Sequence, residues 1–80
     1  MIVHVKLMAV LRSKLPPGAQ GGTAAMELAP GATVADVLEK LGLGAGHVHL
    51  VMVNGAMETD RQRLLADGDE LTVFPPVAGG

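Results

Sequence analysis

The first residues of the chain alternate between apolar and polar positions. Four apolar residues share one face of this period-2 pattern: Val3, Val5, Leu7 and Ala9. His4 and Lys6 interrupt the other face. Because successive side chains of a strand point to opposite sides, the pattern predicts a half-buried β-strand over residues 2–9.

The remainder of the chain predicts further strands separated by turns. A loose helical turn over residues 12–15 and a Pro- and Gly-rich loop over 16–22 come first. Short runs of apolar and β-branched residues then predict strands over 23–28, 47–53, 56–58 and 71–74. Asn54-Gly55 is typical of a tight hairpin turn, and Pro75-Pro76 ends the last strand.

One segment has the period of an amphipathic helix, over residues 34–41. Thr33 is suited to the N-cap, with Asp36 in the position of a capping-box acid, and Gly42 supplies a stop. Its apolar residues form one stripe at i, i+3, i+4 and i+7: Val34, Val37, Leu38 and Leu41. The helix is therefore expected to pack on a sheet.

The order of these elements predicts an α+β fold, a mixed sheet with one main helix across one face. The same order is found in the ubiquitin-like β-grasp, in which the first and last strands run parallel at the centre of the sheet. We expect a β-grasp domain over residues 1–76 and a flexible C-terminal Gly-Gly tail over residues 77–80.

Composition narrows the chemistry that the chain can support. Apolar residues make up 49% of its 80 residues, and the one aromatic residue is Phe74, so the core must be aliphatic. With no cysteine, the chain has no disulfide, thiolate metal site or protein persulfide. A net charge of -2 offers no footprint for nucleic acid, and the apolar N-terminal run is too short to span a bilayer. We expect a cytoplasmic protein without nucleic-acid or membrane partners.

Five segments together resemble one protein family, and the last of them is the most specific. In order they are Leu7–Arg12, Gly31–Leu38, Val53–Gly55, Asp67–Leu71 and Phe74–Gly80. The chain resembles the small subunit of molybdopterin synthase, the MoaD-like branch of the ubiquitin-like sulfur carriers that also includes ThiS. Two positions depart from the family, which often has an aromatic residue where Met8 stands and an acidic one where Ser13 stands.

The resemblance implies that the functional group is the carboxylate of Gly80. An E1-like partner would adenylate it with ATP, and sulfur supplied indirectly by a persulfide enzyme would convert it to a thiocarboxylate. In a heterotetramer with the synthase large subunit, that sulfur would be donated to cyclic pyranopterin monophosphate. Gly79 and Gly80 lack Cβ atoms, so the tail can thread a narrow channel. The chain would bind no cofactor or metal, and would not be an enzyme on its own.

The docking surface is predicted from the same resemblance. Apolar residues near the end of the last strand, with one arginine, would contact the partners: Met8, Arg12, Phe74, Pro75, Pro76, Val77 and Ala78.

Other interpretations of the tail and of the polar residues stay open. The Gly80 carboxylate could be joined to lysines of target proteins, as in a protein modifier, or carry sulfur for thiamine thiazole, or the domain could be purely structural. His47 and His49, with His4, are weighed as a metal site against a solvent-facing strand edge. The acidic run Asp67, Asp69 and Glu70 is interpreted as turn chemistry.

Overall fold

A computed structural model of the chain describes residues 1–77. It contains five strands and one α-helix: β1 (Ile2–Leu7), β2 (Thr23–Glu27), α1 (Val34–Lys40), β3 (Leu50–Val53), β4 (Ala56–Met57) and β5 (Glu70–Phe74). Two 3₁₀ turns, Ala9–Lys14 and Ala45–His47, complete the regular structure. None of the helices in this part of the chain has the length and apolar character needed to cross a membrane.

The strands form one mixed sheet in the order β2-β1-β5-β3-β4. The central strands β1 and β5 are parallel, and the other neighbouring strands are antiparallel. The predicted β-grasp is confirmed, including the parallel first and last strands at the centre. Both of these strands are flanked by neighbours, which agrees with their strongly apolar sequences.

The helix begins where the sequence predicts and ends one residue earlier, at Lys40, with Leu41 as its C-cap. The Thr33 side chain accepts a hydrogen bond from the Asp36 N–H at 3.2 Å, and the Asp36 carboxylate accepts one from the Thr33 N–H at 2.8 Å. This reciprocal capping box satisfies two donors at the first turn. Gly42 follows the helix with a φ of 74°, a conformation that residues with a Cβ rarely adopt.

The core lies between α1 and one face of the sheet. Nine side chains are essentially inaccessible, all of them Leu or Val: Val3, Val5, Leu7, Val34, Val37, Val51, Val53, Leu71 and Val73. No polar or charged residue of the described chain is buried among them. The aliphatic core that the composition required is therefore present, and Phe74 lies outside it.

The first strand is shorter than predicted, which is the first correction. β1 ends at Leu7, and Ala9 is exposed with a φ of 51° instead of facing the core. The Met8 N–H still donates to the Val73 carbonyl at 3.0 Å, but Leu11 N–H then donates to the Met8 carbonyl and starts a 3₁₀ turn. The helical turn predicted over residues 12–15 is therefore present, but it begins three residues earlier and ends at Lys14. It allows Leu11 to reach the core.

The third strand is also shorter, because it begins at Leu50 and not at His47. His47 closes a 3₁₀ turn and its Nδ1 accepts a hydrogen bond from the Gly44 N–H at 3.1 Å. His47 and His49 therefore do not share a strand face, and the strand geometry that suggested a metal pair is wrong. Within residues 1–77, no three His, Cys, Asp or Glu side chains are grouped as metal ligands.

Turns at the polar end of the sheet use the acidic residues as predicted. Asp67 Oδ1 accepts a hydrogen bond from the Ile2 N–H at 2.7 Å, and Asp69 Oδ2 accepts one from the Ala66 N–H at 2.8 Å. Asn54 and Gly55 both have positive φ, at 52° and 83°, as a type I′ hairpin turn requires. These residues are structural.

Candidate functional site

The face of the sheet opposite α1 carries no helix in the described chain. Along β5, Leu71 and Val73 are buried towards the helix, so Thr72 and Phe74 point to the other side. Both are only half-buried. This open face is the part of the sheet on which a partner can dock.

One end of the open face is apolar. The strand register places Leu50 opposite Phe74, and Met52 opposite both Thr72 and Met57. Met8 follows Leu7, whose register partner is Val73, and so lies beside Phe74. We call the resulting set of side chains the apolar strip: Met8, Leu50, Met52, Met57 and Phe74. Three of the five are methionines, which adapt their shape to a partner surface.

The other end of the open face is polar. His4 lies opposite Glu70 on β5 and opposite Ala25 on β2, and Lys6 lies opposite Thr72. All three charged or titratable side chains are exposed. Along β5, Glu70 therefore belongs to the polar end of the open face and Phe74 to the apolar end.

The chain leaves the domain at the apolar end, and we call the segment that follows β5, from Pro75 onwards, the C-terminal arm. The His49 N–H donates to the Phe74 carbonyl at 2.8 Å and holds the last residue of β5 in the sheet. Pro75 is half-buried, Pro76 is exposed, and the Val77 side chain is 86% exposed. The apolar strip therefore adjoins the root of the arm, with Met8 and Leu50 on either side of Phe74.

The residues that carry the predicted chemistry lie outside the described part of the chain. These are Ala78, Gly79 and Gly80. Their roles, and the division of the chain into residues 1–76 and 77–80, stay predictions.

The structure brings some of the predicted docking residues together and sets one apart. Met8, Phe74 and Pro75 lie in sequence or register contact around the end of β5. Arg12 lies on the β2 side of β1. Its side chain packs against Gly22, just before β2, so closely that a Cβ atom on Gly22 would lie 3.0 Å from the Arg12 Nε. Its guanidinium therefore does not belong to the apolar strip.

Sequence reasoning missed three residues of the apolar strip: Leu50, Met52 and Met57. It also missed Val10, which is outside the strip and is 78% exposed on the 3₁₀ turn that follows Met8. The signal was present in β3, where Leu50–Val53 is apolar at every position. A strand without alternation is apolar on both faces. For Val10, the broken alternation after Leu7 was the available signal.

The pKa shifts of the described residues have structural causes. The pKa of Glu58 is held below its usual value mainly by a hydrogen bond from the Asp60 N–H. Arg63, whose Nη1 lies 3.0 Å from Glu58 Oε1, lowers this pKa further. The Ala66 N–H, followed by the Asn54 amide, lowers the pKa of Asp69. Both carboxylates are favoured in the ionised form by turn hydrogen bonds. Neither belongs to the apolar strip.

Comparisons with known proteins agree with this fold. The model of the ThiS family matches residues 5–80. The search among curated proteins gave no match.

Three solved structures are similar over nearly the whole chain. SAMP1 (small archaeal modifier protein 1) from Haloferax volcanii is 28% identical, with 100% of each chain covered and a TM-score of 0.73. A putative molybdopterin converting factor subunit 1 from Pyrococcus furiosus is 28% identical, with coverage of 95% and 98% and a TM-score of 0.71.

The third structure is a complex of subunits 1 and 2 of the molybdopterin-converting factor from Helicobacter pylori. Its matching chain is 19% identical, with 100% of each chain covered and a TM-score of 0.62, and at that identity it supports the fold alone.

Proposed function

Since the chain belongs to the ThiS family of ubiquitin-like sulfur carriers, we propose that it carries sulfur as a thiocarboxylate on Gly80 and serves as the small subunit of a molybdopterin synthase. The observation that carries the proposal is the position of the apolar strip beside the root of the C-terminal arm. A partner that covers this strip also receives the arm.

The length of the arm suits an active site buried in a partner. From Val77 to Gly80 an extended chain spans about 13 Å, at roughly 3.3 Å per residue. Pro75 and Pro76 fix their φ angles and cannot donate hydrogen bonds to a strand, so the arm separates from the sheet. The terminal carboxylate can then reach a pocket that the folded domain itself cannot enter.

In the proposed reaction the chain supplies one carboxylate and its partners supply the catalysis. A carboxylate oxygen of Gly80 attacks the α-phosphorus of ATP, and pyrophosphate leaves. A thiol reduces a persulfide donor to a disulfide and releases hydrosulfide. The hydrosulfide then displaces AMP from the acyl adenylate and leaves a thiocarboxylate. Inside the large subunit this sulfur acts as the nucleophile towards cyclic pyranopterin monophosphate. The ATP and pterin sites belong to the partners, and the chain is not an enzyme on its own.

A relative supports the partner assignment. The Pyrococcus furiosus neighbour is described as a putative subunit 1 of the molybdopterin converting factor. We propose that a synthase large subunit binds the apolar strip of this chain. The E1-like activating partner is proposed to dock on the same side, because it must receive the same carboxylate.

Mass spectrometry tests the sulfur-carrier assignment. After incubation with the adenylating partner, ATP and a sulfur donor, we expect the intact chain to gain the mass difference between one sulfur and one oxygen, located on Gly80. A matched variant that lacks Gly80 is expected to keep its mass. An unchanged mass of the complete chain would refute the assignment.

A second function is favoured by the similarity to SAMP1, which is named as a small archaeal modifier protein. In that role the activated Gly80 carboxylate forms an amide with a lysine of a target protein. Immunoblots that reveal Gly80-dependent adducts of higher mass would favour the modifier. Copurification with a molybdopterin synthase large subunit, without such adducts, would favour the sulfur donor.

A further inference from the structure

The outer edge of β2 is the longest free strand edge of the described sheet. β2 has five residues and lies at one end of the strand order, whereas β4 at the other end has two. Edge strands are commonly protected by proline, lysine or a bulge, because they can pair with another strand. Residues 23–27 contain no proline or lysine, and their pairing with β1 runs without a bulge.

The hydrogen bonds of β2 to β1 determine which backbone groups face outwards. Leu28 N–H donates to the Met1 carbonyl at 2.8 Å, and Leu7 N–H donates to the Gly22 carbonyl at 2.9 Å. Because the direction of the backbone groups alternates along an antiparallel strand, the even-numbered residues of β2 face β1. The N–H and C=O groups of Thr23, Ala25 and Glu27 therefore point away from the sheet.

Only two of these three residues offer free groups. Thr23 exchanges both of its hydrogen bonds with Gln20, at 3.0 and 3.1 Å. For Ala25 and Glu27, residues 1–77 provide no partner on the outward side. A further antiparallel strand pairs with the outward N–H and C=O groups of residues two positions apart, and Ala25 and Glu27 are such a pair.

We propose that β2 pairs with β2 of a second copy of this chain, antiparallel and centred on Met26. In this register Ala25 and Glu27 of one copy exchange hydrogen bonds with Glu27 and Ala25 of the other, which gives four bonds. A register centred on Ala25 would need the backbone groups of Thr23, and Gln20 already occupies them. The chain turns at Pro30 and Gly31, where the Ala32 N–H donates to the Ala29 carbonyl at 3.2 Å, so the extended strand ends before the position opposite Gln20 of the other copy.

The side chains on the open face are complementary in the same register. Glu27 comes opposite Ala25 of the second copy, and the next residue across that sheet is His4. Ala25 presents only a methyl group, so the Glu27 carboxylate can reach towards the His4 imidazole over two strand spacings, about 10 Å between Cα atoms. By symmetry this contact occurs twice. No like charges come directly opposite each other, which would disfavour the pairing.

The dimer leaves the apolar strip free. β2 is separated from β5 by β1, and four of the five strip residues lie on β5, β3 and β4. The fifth, Met8, follows Leu7, which pairs with Gly22 and so lies away from Ala25 and Glu27. The assembly is therefore a ten-stranded sheet that presents two C-terminal arms. Pairing of β2 does not depend on the sulfur-carrier assignment, and each can fail without the other.

Sedimentation equilibrium of the full chain tests the proposal. We expect reversible dimerisation between about 10 μM and about 1 mM, with amide chemical-shift changes on dilution centred on Ala25 and Glu27. A25P removes an outward N–H that the monomer does not use, and is expected to be monomeric. A chain that stays monomeric at the highest concentration, or a folded A25P that still dimerises, would overturn the proposal. So would shift changes centred on the apolar strip.

A charge variant keeps the test decisive if A25P does not fold. E27K is expected to raise the dimer dissociation constant roughly tenfold, because the contact with His4 is lost twice. E39K makes the same change in net charge on the exposed side of α1, and is expected to leave the constant unchanged. Equal effects of the two variants would contradict the proposed interface.

Discussion

The two faces of the sheet differ in what their residues do. The face under α1 is closed and uniformly aliphatic, with Leu71 and Val73 of β5 fully buried. The opposite face carries Thr72 and Phe74 of the same strand, both partly accessible. A single strand therefore alternates between residues that hold the fold together and residues available to a partner.

This difference explains how so small a domain can serve as a carrier. Its core needs only one face of the sheet and one helix, because the aliphatic side chains pack there without polar groups. The second face is then free of structural demands. In a chain of 80 residues that lacks disulfides, such a division leaves half of the sheet for recognition.

The largest expected effect is on the covered face. Leu71→Ala removes a side chain of 0% exposure and should lower the free energy of unfolding by about 3 kcal/mol, through lost burial and a residual cavity. Urea titration followed by circular dichroism measures it. Thr72→Ala, one residue further along on the open face, is the matched control and should cost less than about 1 kcal/mol. Equal losses in the free energy of unfolding of the two variants would contradict the proposed difference between the faces.

The next effect is on the open face and concerns binding. Phe74→Ala should weaken binding to the synthase large subunit by about 2 kcal/mol, roughly thirtyfold, because buried aromatic anchors dominate such interfaces. Isothermal titration calorimetry provides the measurement. Glu70→Ala lies on the same strand and face at the polar end, and should bind normally. If both variants bind like the wild type, the apolar strip is not the docking surface.

The smallest effect concerns the turn that leads into the polar end. The pKa of Asp69 is lowered in the folded chain, so its stabilisation is present above the usual Asp range and is lost as pH falls through the folded pKa. Asp69→Asn should cost about 1 kcal/mol at pH 7. It should also reduce the loss of stability between about pH 6 and pH 3. Urea titrations at both pH values test this, and an unaltered pH dependence would refute the role of Asp69.

Much of the fold could be predicted because local signals agreed with one another. The capping box of Thr33 and Asp36, the Asn54-Gly55 turn and the helix stripe each have a short-range physical cause, and all three are confirmed. The ends of β1 and β3 were wrong. At both places the chain bends into a 3₁₀ turn, and the contact of Leu11 with the distant core is not visible in the alternation of nearby residues.

The candidate site was predictable only in part for the same reason. Met8 and Phe74 were predicted, because each lies at or next to the end of a strand, within a segment that resembles the family. Leu50 and Met57 were missed, since they join the strip only through pairing across β5 and β3. The docking role of Arg12 stays a prediction, and the structure places its side chain against Gly22, apart from the apolar strip.

The sequence by itself determined the number and order of the elements, the aliphatic core and the Gly-Gly end, because periodicity, capping and composition are written in neighbouring residues. Only the tertiary structure decided which apolar residues gather beside the root of the arm and which edge of the sheet stays open. Both depend on strand order and register, which bring together residues far apart in the chain. Strand pairing places Met8 and Leu50 on either side of Phe74, the residue at which the last strand ends.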